Sequence, residues 1–193
     1  DQEKMSMKNY VFEVLKENIM KLKLEPGEIL KKKDIANELQ VSRTPIREAF
    51  VKLTGEGLID IYPQRGTSVS YIDLNKVKEA KFMREHLEKP IVRLACQKLN
   101  DDYLMELETN IKLQEMAFKN SNYIKLFELD NEFHKTLFDG CQKSNVWAAI
   151  QQTGTHLNRI RVLSLAADFN RNDVIHDHEQ IVEVNDFLIK KCR

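Results

Sequence analysis

Apolar residues recur at Val11, Val14, Leu15, Ile19 and Leu22, the i, i+3, i+4 stripe of an amphipathic helix over about residues 10–23. Pro26 and Gly27 stop it. A shorter helix is predicted over about 32–39, with Ile35, Ala36 and Leu39 on one face. A third covers about 43–56 and buries Ile46, Ala49, Phe50 and Leu53. Gln40, Val41 and Ser42 form the turn between them. Ser42 or Thr44 is placed to cap the third helix, and Pro45 falls in its first turn, where a missing N–H costs little. The period then changes. Residues 58–62 and 67–71 alternate apolar and polar around Pro63-Gln-Arg-Gly, which predicts a β-hairpin. Three helices followed by a hairpin is the plan of a winged helix-turn-helix.

Beyond Asp73 the pattern is helical, with no strand alternation. Helices are expected over about 74–99, 101–120, 121–140, 145–168 and 172 to past 182, with breakers at Asn100-Asp-Asp, Lys119-Asn-Ser-Asn, Asp139-Gly and Asp168-Phe-Asn-Arg-Asn. Pro90 lies deep in the first of these and predicts a kink or a one-turn irregularity. Trp147, Phe127, Phe133 and Phe138, at helical spacings, read as core. The expected fold class is mainly α: an N-terminal winged helix-turn-helix over residues 8–72 and a C-terminal antiparallel all-helical bundle over 73–193.

Composition changes this picture little. The 193 residues are 42% hydrophobic and 31% charged, and only six Gly and four Pro agree with a helical chain. No apolar run reaches the length of a membrane span, so no membrane partner is expected. The first seven residues have no secretory core, and three widely spaced cysteines suit reduced thiols in a cytoplasmic protein. Net charge is zero, and residues 1–70 carry 12 Lys and Arg against 11 Asp and Glu. Affinity for nucleic acid must therefore come from where charge is placed, not from a basic bulk.

Placement is informative. The third helix opens Arg43-Thr44-Pro45-Ile46-Arg47, with Arg43 and Arg47 on one face, opposite Ile46 and Phe50. The second helix of such a motif lies in the major groove, where arginine can donate two hydrogen bonds to guanine O6 and N7. Lys31, Lys32 and Lys33 open the preceding helix, where phosphates are reached. Gln64-Arg65-Gly66 is the hairpin tip, where arginine can enter a minor groove. Residues 31–67 thus predict a double-stranded DNA operator as partner. Solvated charge on an ordinary three-helix domain is the alternative.

The string Val41-Ser-Arg-Thr-Pro-Ile-Arg-Glu-Ala, with Leu53, Gly57-Leu58 and Arg65-Gly66-Thr67, resembles the DNA-binding domain of the GntR family of bacterial transcription regulators. Leu24-Glu-Pro-Gly-Glu and Ile35-Ala-Asn-Glu-Leu match the same pattern. The resemblance implies that Lys33, Arg43, Thr44, Arg47 and Gly66 contact DNA, with Gln64 and Arg65 at the wing. Lys33 stands where the family often has arginine, which exchanges a bidentate contact for a point charge.

In the helical half, Asp130 and His134 are four apart and share a helix face, and His178 lies on a later helix. An aspartate with two imidazoles suits a divalent transition metal such as zinc; a surface pair or helix-local hydrogen bond is the alternative. Arg84-Glu-His-Leu-Glu, Asp130-x-x-x-His134, Arg159-x-Arg161 and His178-x-x-Ile181 together resemble the FCD-type effector domain of the FadR-like GntR subfamily. That resemblance implies Asp130, His134 and His178 as metal ligands and a small carboxylate metabolite held near them, with Arg84, Arg161 and His156 as candidate effector contacts. A solvent-exposed salt bridge from these arginines to Glu85, Glu88 or another acid, and a core role for His156, are the alternatives. The family's fourth ligand, a histidine, lies further beyond the third than the 15 residues that follow His178 here. Residues 184–193 read as the family's final helix arriving early, which leaves Cys192 as a softer ligand or a free thiol. His86 and His176 read as surface residues.

The implied function is a homodimeric, ligand-responsive transcription regulator, either repressor or activator, and not an enzyme. An architectural DNA binder whose bundle only dimerises, and a metal-dependent enzyme, are the alternatives. No HExxH string, phosphate loop or nucleophile elbow accompanies the cluster.

Overall fold

The structure is a computed structural model that describes residues 6–167 and 171–192, with side chains in the last helix described over 173–185. Among the described residues it contains nine helices and one two-stranded sheet, and it divides into two compact units, Asp1–Asp73 and Leu74–Arg193.

In the first unit α1 (Met7–Met20), α2 (Lys32–Glu38) and α3 (Arg43–Gly55) precede β1 (Ile59–Tyr62) and β2 (Gly66–Val69). The stripe Val11, Phe12, Leu15 and Ile19 packs with Ile46, Ala49, Phe50 and Leu53 of α3 in one core, which Leu30, Ile35, Leu58, Ile59 and Val69 complete. Removing any of the large side chains to alanine would cost about 2–5 kcal/mol. The strands pair antiparallel with Ile61 opposite Thr67 and Tyr62 opposite Gly66. A piece of chain that the alternation did not mark pairs with the other edge of β2: Leu30 N–H donates to Thr67 O, and Val69 N–H to Glu28 O. Gly27 enters this edge at φ +87°, a conformation that favours glycine, with the exposed Tyr71 ring lying over it.

α1 and α2 end in the same way. Lys23 N–H reaches back to Asn18 O and Val41 N–H to Ala36 O, the six-to-one bond of a Schellman motif. The residues that must be left-handed there are Leu22 (φ 58°) and Gln40 (φ 54°). α5 and α6 of the second unit repeat the pattern at Ser121 (φ 51°) and Gln142 (φ 58°). Ser42 occupies the N-cap of α3 in extended conformation but makes no side-chain cap bond, so the expected Ser42 cap is not formed.

The second unit contains α4 (Leu74–Lys98), α5 (Asp101–Lys119), α6 (Tyr123–Gly140), α7 (Ser144–Thr153), α8 (Thr155–Ala166) and α9 (Arg171–Cys192). It is a helical bundle in which α5 packs on α6 and α9, and α4 on α8 and α9. Leu107, Leu126, Phe133, Leu137, Phe138 and Val162 form its driest layer. Two expectations are corrected. The helix expected over 145–168 is two helices with Gly154 between them: its N–H turns to Gln151 O, and its carbonyl accepts from Asn158 N–H at the start of the next helix. The early final helix read over 184–193 is instead the continuation of a single α9. α4 is helical on both sides of Pro90, the position where the sequence leads one to expect a kink.

Candidate metal centre and nucleic-acid interface

On the reading side of the first unit, burial of Ile46, Ala49, Phe50 and Leu53 leaves Arg43, Thr44, Arg47, Glu48 and Val51 exposed on α3. Val51, 71% exposed, lies one turn beyond Arg47 on the same face, an apolar residue among charges that the sequence reading passed over. Lys33 is exposed on α2, while Lys32 lies over the Phe50 ring at 5.5 Å and braces α2 on α3. At the wing, Arg65 N–H donates to Tyr62 O at 3.2 Å across Pro63-Gln64, and Gln64 at φ 62° takes the left-handed corner of a type II turn. Gly66 (φ +106°) has open space around it. Among the described residues of this unit, the ion pairs Lys16–Glu56 and Lys21–Glu17 involve none of Lys33, Arg43, Arg47 or Arg65.

In the second unit, Asp130 and His134 project from α6 and His178 from α9. One ligand atom from each lies within 4.8 Å of the others. His178 Nε2 is 3.9 Å from Asp130 Oδ1, and His134 Nε2 is 4.0 Å from Asp130 Oδ2. Each imidazole has its far nitrogen turned to an oxygen: His178 Nδ1 to Gln114 Oε1 at 2.9 Å, His134 Nδ1 to Glu88 Oε1 at 3.4 Å. Such outer partners fix ring orientation and tautomer, and they are the usual company of a metal-bound imidazole. The His178 ring also stacks on Phe133 at 4.0 Å between centroids.

Two arginines face the same carboxylate. Arg161 of α8 pairs with Asp130 Oδ2, donates to Asn131 and Asn158 at 2.9 Å each, and lies over the Phe127 ring. Arg84 of α4 pairs with Glu88, one of the acids the alternative named, but in a largely buried position rather than in solvent, and its other end reaches 3.7 Å from Asp130 Oδ2. His156 is buried on α8 but is not one of the three residues whose ligand atoms converge. Cys192 lies outside the residues whose side chains are described. His86 and His176 are exposed, as read.

Burial sets the protonation states. It pushes the pKa of His134 well below its ordinary 6.5, with Arg84 acting in the same direction, and lowers that of His178 too. Burial alone would raise Asp130, but Arg161, His134 and Arg84 hold its carboxyl far below the usual range. Glu88 is raised, chiefly by burial. Two neutral imidazoles beside an ionised carboxylate is the state a divalent cation requires, and a nitrogen-and-oxygen donor set of this kind fits zinc and its neighbours. The residues present therefore fit a metal. Gln114 and Asn110, which complete the surroundings, were not read from the sequence. Their signal was two polar residues four apart on the buried stripe of α5 that carries Leu107 and Ile111.

A winged helix whose reading face keeps uncommitted cations, followed by a helical bundle with a polar, metal-competent interior, defines a DNA-binding transcription regulator with an effector domain. The family model "Bacterial regulatory proteins, gntR family" matches residues 8–69, and that of the FCD domain matches residues 80–184. The HTH-type transcriptional repressor RspR of Escherichia coli is 32% identical over 154 residues, covering 80% of this chain and 68% of that protein. The Nta operon transcriptional regulator of Aminobacter aminovorans is 29% identical over 136 residues, covering 70% and 64%. Among solved structures, a GntR regulator from Rhodococcus sp. RHA1 superposes with TM-score 0.72 at 21% identity over 95% of this chain and 92% of that one, and E. coli McbR/YncC with 0.68 at 20% over 97% and 99%. These two likenesses show the fold. The chain belongs to the GntR family of bacterial regulators, in the branch with an FCD effector domain. It is a transcription regulator and not an enzyme, which sets aside the metal-dependent enzyme weighed as an alternative. No described helix is long and apolar enough to cross a membrane.

Proposed function

We propose that this chain is a cytoplasmic, homodimeric regulator whose helical unit holds zinc through Asp130, His134 and His178. A small carboxylate effector then sits against the metal, with Arg84 and Arg161 as its counter-ions and His156 nearby. The observation that carries this reading is the convergence of three ligand atoms within 4.8 Å, with both far imidazole nitrogens already turned to oxygens. Arg161 supports the effector reading. It is oriented by Asn131 and Asn158 as well as by Asp130, so it keeps its place if an incoming carboxylate competes for its fork.

On the DNA side, Arg43, Thr44 and Arg47 read bases, Lys33 meets phosphate, and Gln64, Arg65 and Gly66 bring the wing to the duplex. One recognition helix covers few base pairs, so two-fold pairing is needed for a specific operator. Effector binding alters DNA affinity by its different affinity for two arrangements of the protein, typically about 1–3 kcal/mol. The test has three parts: metal content of protein purified without chelator, a thermal-shift screen of organic acids with and without chelator, and gel shifts on duplexes selected in vitro. Stoichiometric zinc, an acid whose stabilisation needs the metal, and an acid-dependent change in DNA affinity are expected. Protein that takes up no divalent metal and responds to no acid would overturn the effector reading and leave a bundle that only dimerises.

A further inference from the structure

The interior of the helical unit contains a row of buried amides that the site above uses only at its last link. Asn110 and Gln114 are 6% and 0% exposed on α5. Asn110 Nδ2 donates to Leu129 O at 3.1 Å, Gln114 Nε2 donates to Asn110 Oδ1 at 2.6 Å, and Gln114 Oε1 faces His178 Nδ1 at 2.9 Å. A side-chain amide has one donating end and one accepting end, and either can be turned in either direction. What removes that freedom here is the first link. A backbone carbonyl only accepts, so Asn110 must present its NH2 to Leu129 and its oxygen to Gln114. Gln114 must then present its NH2 to Asn110 and its oxygen to His178. An amide oxygen only accepts, so His178 must carry its proton on Nδ1. Its Nε2 lone pair is left facing Asp130 Oδ1, 3.9 Å away.

We propose that Asn110 and Gln114 are positioning residues that lock His178 in the Nδ1–H tautomer, with the polarity of the row fixed by the Leu129 carbonyl. The ligand set is thereby made ready before any metal arrives. The inference rests on the metal reading for its purpose but not for its geometry, which holds in metal-free protein. His134 has a looser guide: its far nitrogen faces Glu88 Oε1 at 3.4 Å, against 2.9 Å between His178 and Gln114, and no row of amides stands behind it. Of the two imidazoles, His178 is the one whose lone pair is set through a row of side chains.

The experiment is long-range proton–nitrogen NMR of the histidine rings in the full chain, metal-free, alongside zinc titration of the same samples. Wild type is expected to show His178 as the Nδ1–H tautomer alone. Asn110→Leu, at a residue hydrogen-bonded to neither His178 nor any ligand side chain, frees Gln114 to turn over; a mixture of tautomers is expected, with zinc affinity about 10–100-fold lower. Gln114→Glu keeps an acceptor on Nδ1 and should keep the single tautomer, whereas Gln114→Met, of similar volume without that acceptor, should lose it, a contrast that a purely packing role would not predict. An Nε2–H wild type overturns the proposal, as does an Asn110→Leu protein with an unchanged single tautomer. If Asn110→Leu does not fold, Gln114→Glu decides, since an Nε2–H form there is equally fatal. Should wild type bind no zinc while the tautomers respond as stated, the metal reading falls and the tautomer lock stands.

Discussion

Asp130 is the charge on which the interior of the helical unit depends, and neutralising it without changing its shape is the sharpest test of that dependence. The side chain is 8% exposed and faces two arginines and two imidazoles. Asp130→Asn keeps an acceptor for Arg161 but leaves two largely buried guanidinium groups with Glu88 as their one carboxylate partner among the described residues, and Glu88 has its own pKa raised by burial. Removing one partner of a buried pair costs about 3–5 kcal/mol. The retained hydrogen bond and the nearness of Glu88 favour the lower end, about 3 kcal/mol. With a urea slope of about 2 kcal/mol per molar, the midpoint should fall by about 1.5 M. The chain contains one tryptophan, Trp147, buried in this unit with its ring 6.3 Å from that of His134. Its fluorescence in urea plus chelator therefore follows the helical unit alone and not the winged helix. Asp130→Asn combined with Arg161→Met should recover most of the loss, because a buried pair replaced by uncharged groups of similar volume is close to neutral. A midpoint shift below about 0.5 M, from the same slope, or a double variant no better than the single one, would refute the electrostatic reasoning.

Other expectations follow from single features. Arg43→Ala and Arg47→Ala should each weaken discrimination between a selected duplex and a mismatched one by about 1–3 kcal/mol, with the Trp147 urea curve unchanged; Lys33→Ala should weaken all duplexes alike and lower the salt slope by about one. Both histidines have folded pKa values below their ordinary 6.5, so the unfolded chain takes up protons that the folded bundle refuses as pH falls below 6.5. Metal-free stability should thus decline with acidification below 6.5, level off in this term above it, and decline less steeply in His134→Gln, measured by urea midpoints at pH 7.5 and 5.5; equal slopes in both proteins would discard the assignment. A Cβ at Gly140 would stand 2.3 Å from Leu99 Cδ2 and 3.2 Å from the Tyr103 ring, so Gly140→Ala should cost about 1–3 kcal/mol in the Trp147 transition.

The winged helix was nearly all legible in the sequence, because each of its helices shows its buried stripe openly and its turns use Pro26, Gly27 and Gly66. What escaped was the third edge of the wing, since the short stretch from Gly27 to Leu30 pairs through backbone groups that no side-chain pattern records. In the bundle, Asp130, His134 and His178 could be picked out as chemistry-bearing residues, but not Gln114 or Asn110, whose importance comes from contact across 64 and 19 residues of chain. Gly154 was read through because one glycine is tolerated inside a helix, and the break shows only in the backbone, where its N–H turns to Gln151 O. Arg84 pairs with Glu88 and also reaches 3.7 Å from Asp130, a contact between helices that no spacing in the sequence marks.

The left-handed residues that close α1, α2, α5 and α6 bear on how this protein tolerates mutation. Glycine or asparagine is the usual occupant of such a position, yet here the four are Leu22, Gln40, Ser121 and Gln142. Each side chain makes its backbone conformation less favourable, on the order of 0.5–1 kcal/mol relative to glycine. Together they leave roughly 2–4 kcal/mol of stability unclaimed, a large share of what separates a typical domain from unfolding. Drift at these four sites is therefore one-sided: exchange for glycine is a gain open to selection, whereas a β-branched residue in any of them spends a margin already drawn down. Gln40 sits in the turn that sets α3 against α2, so a gain there would stiffen the very joint that presents the recognition helix.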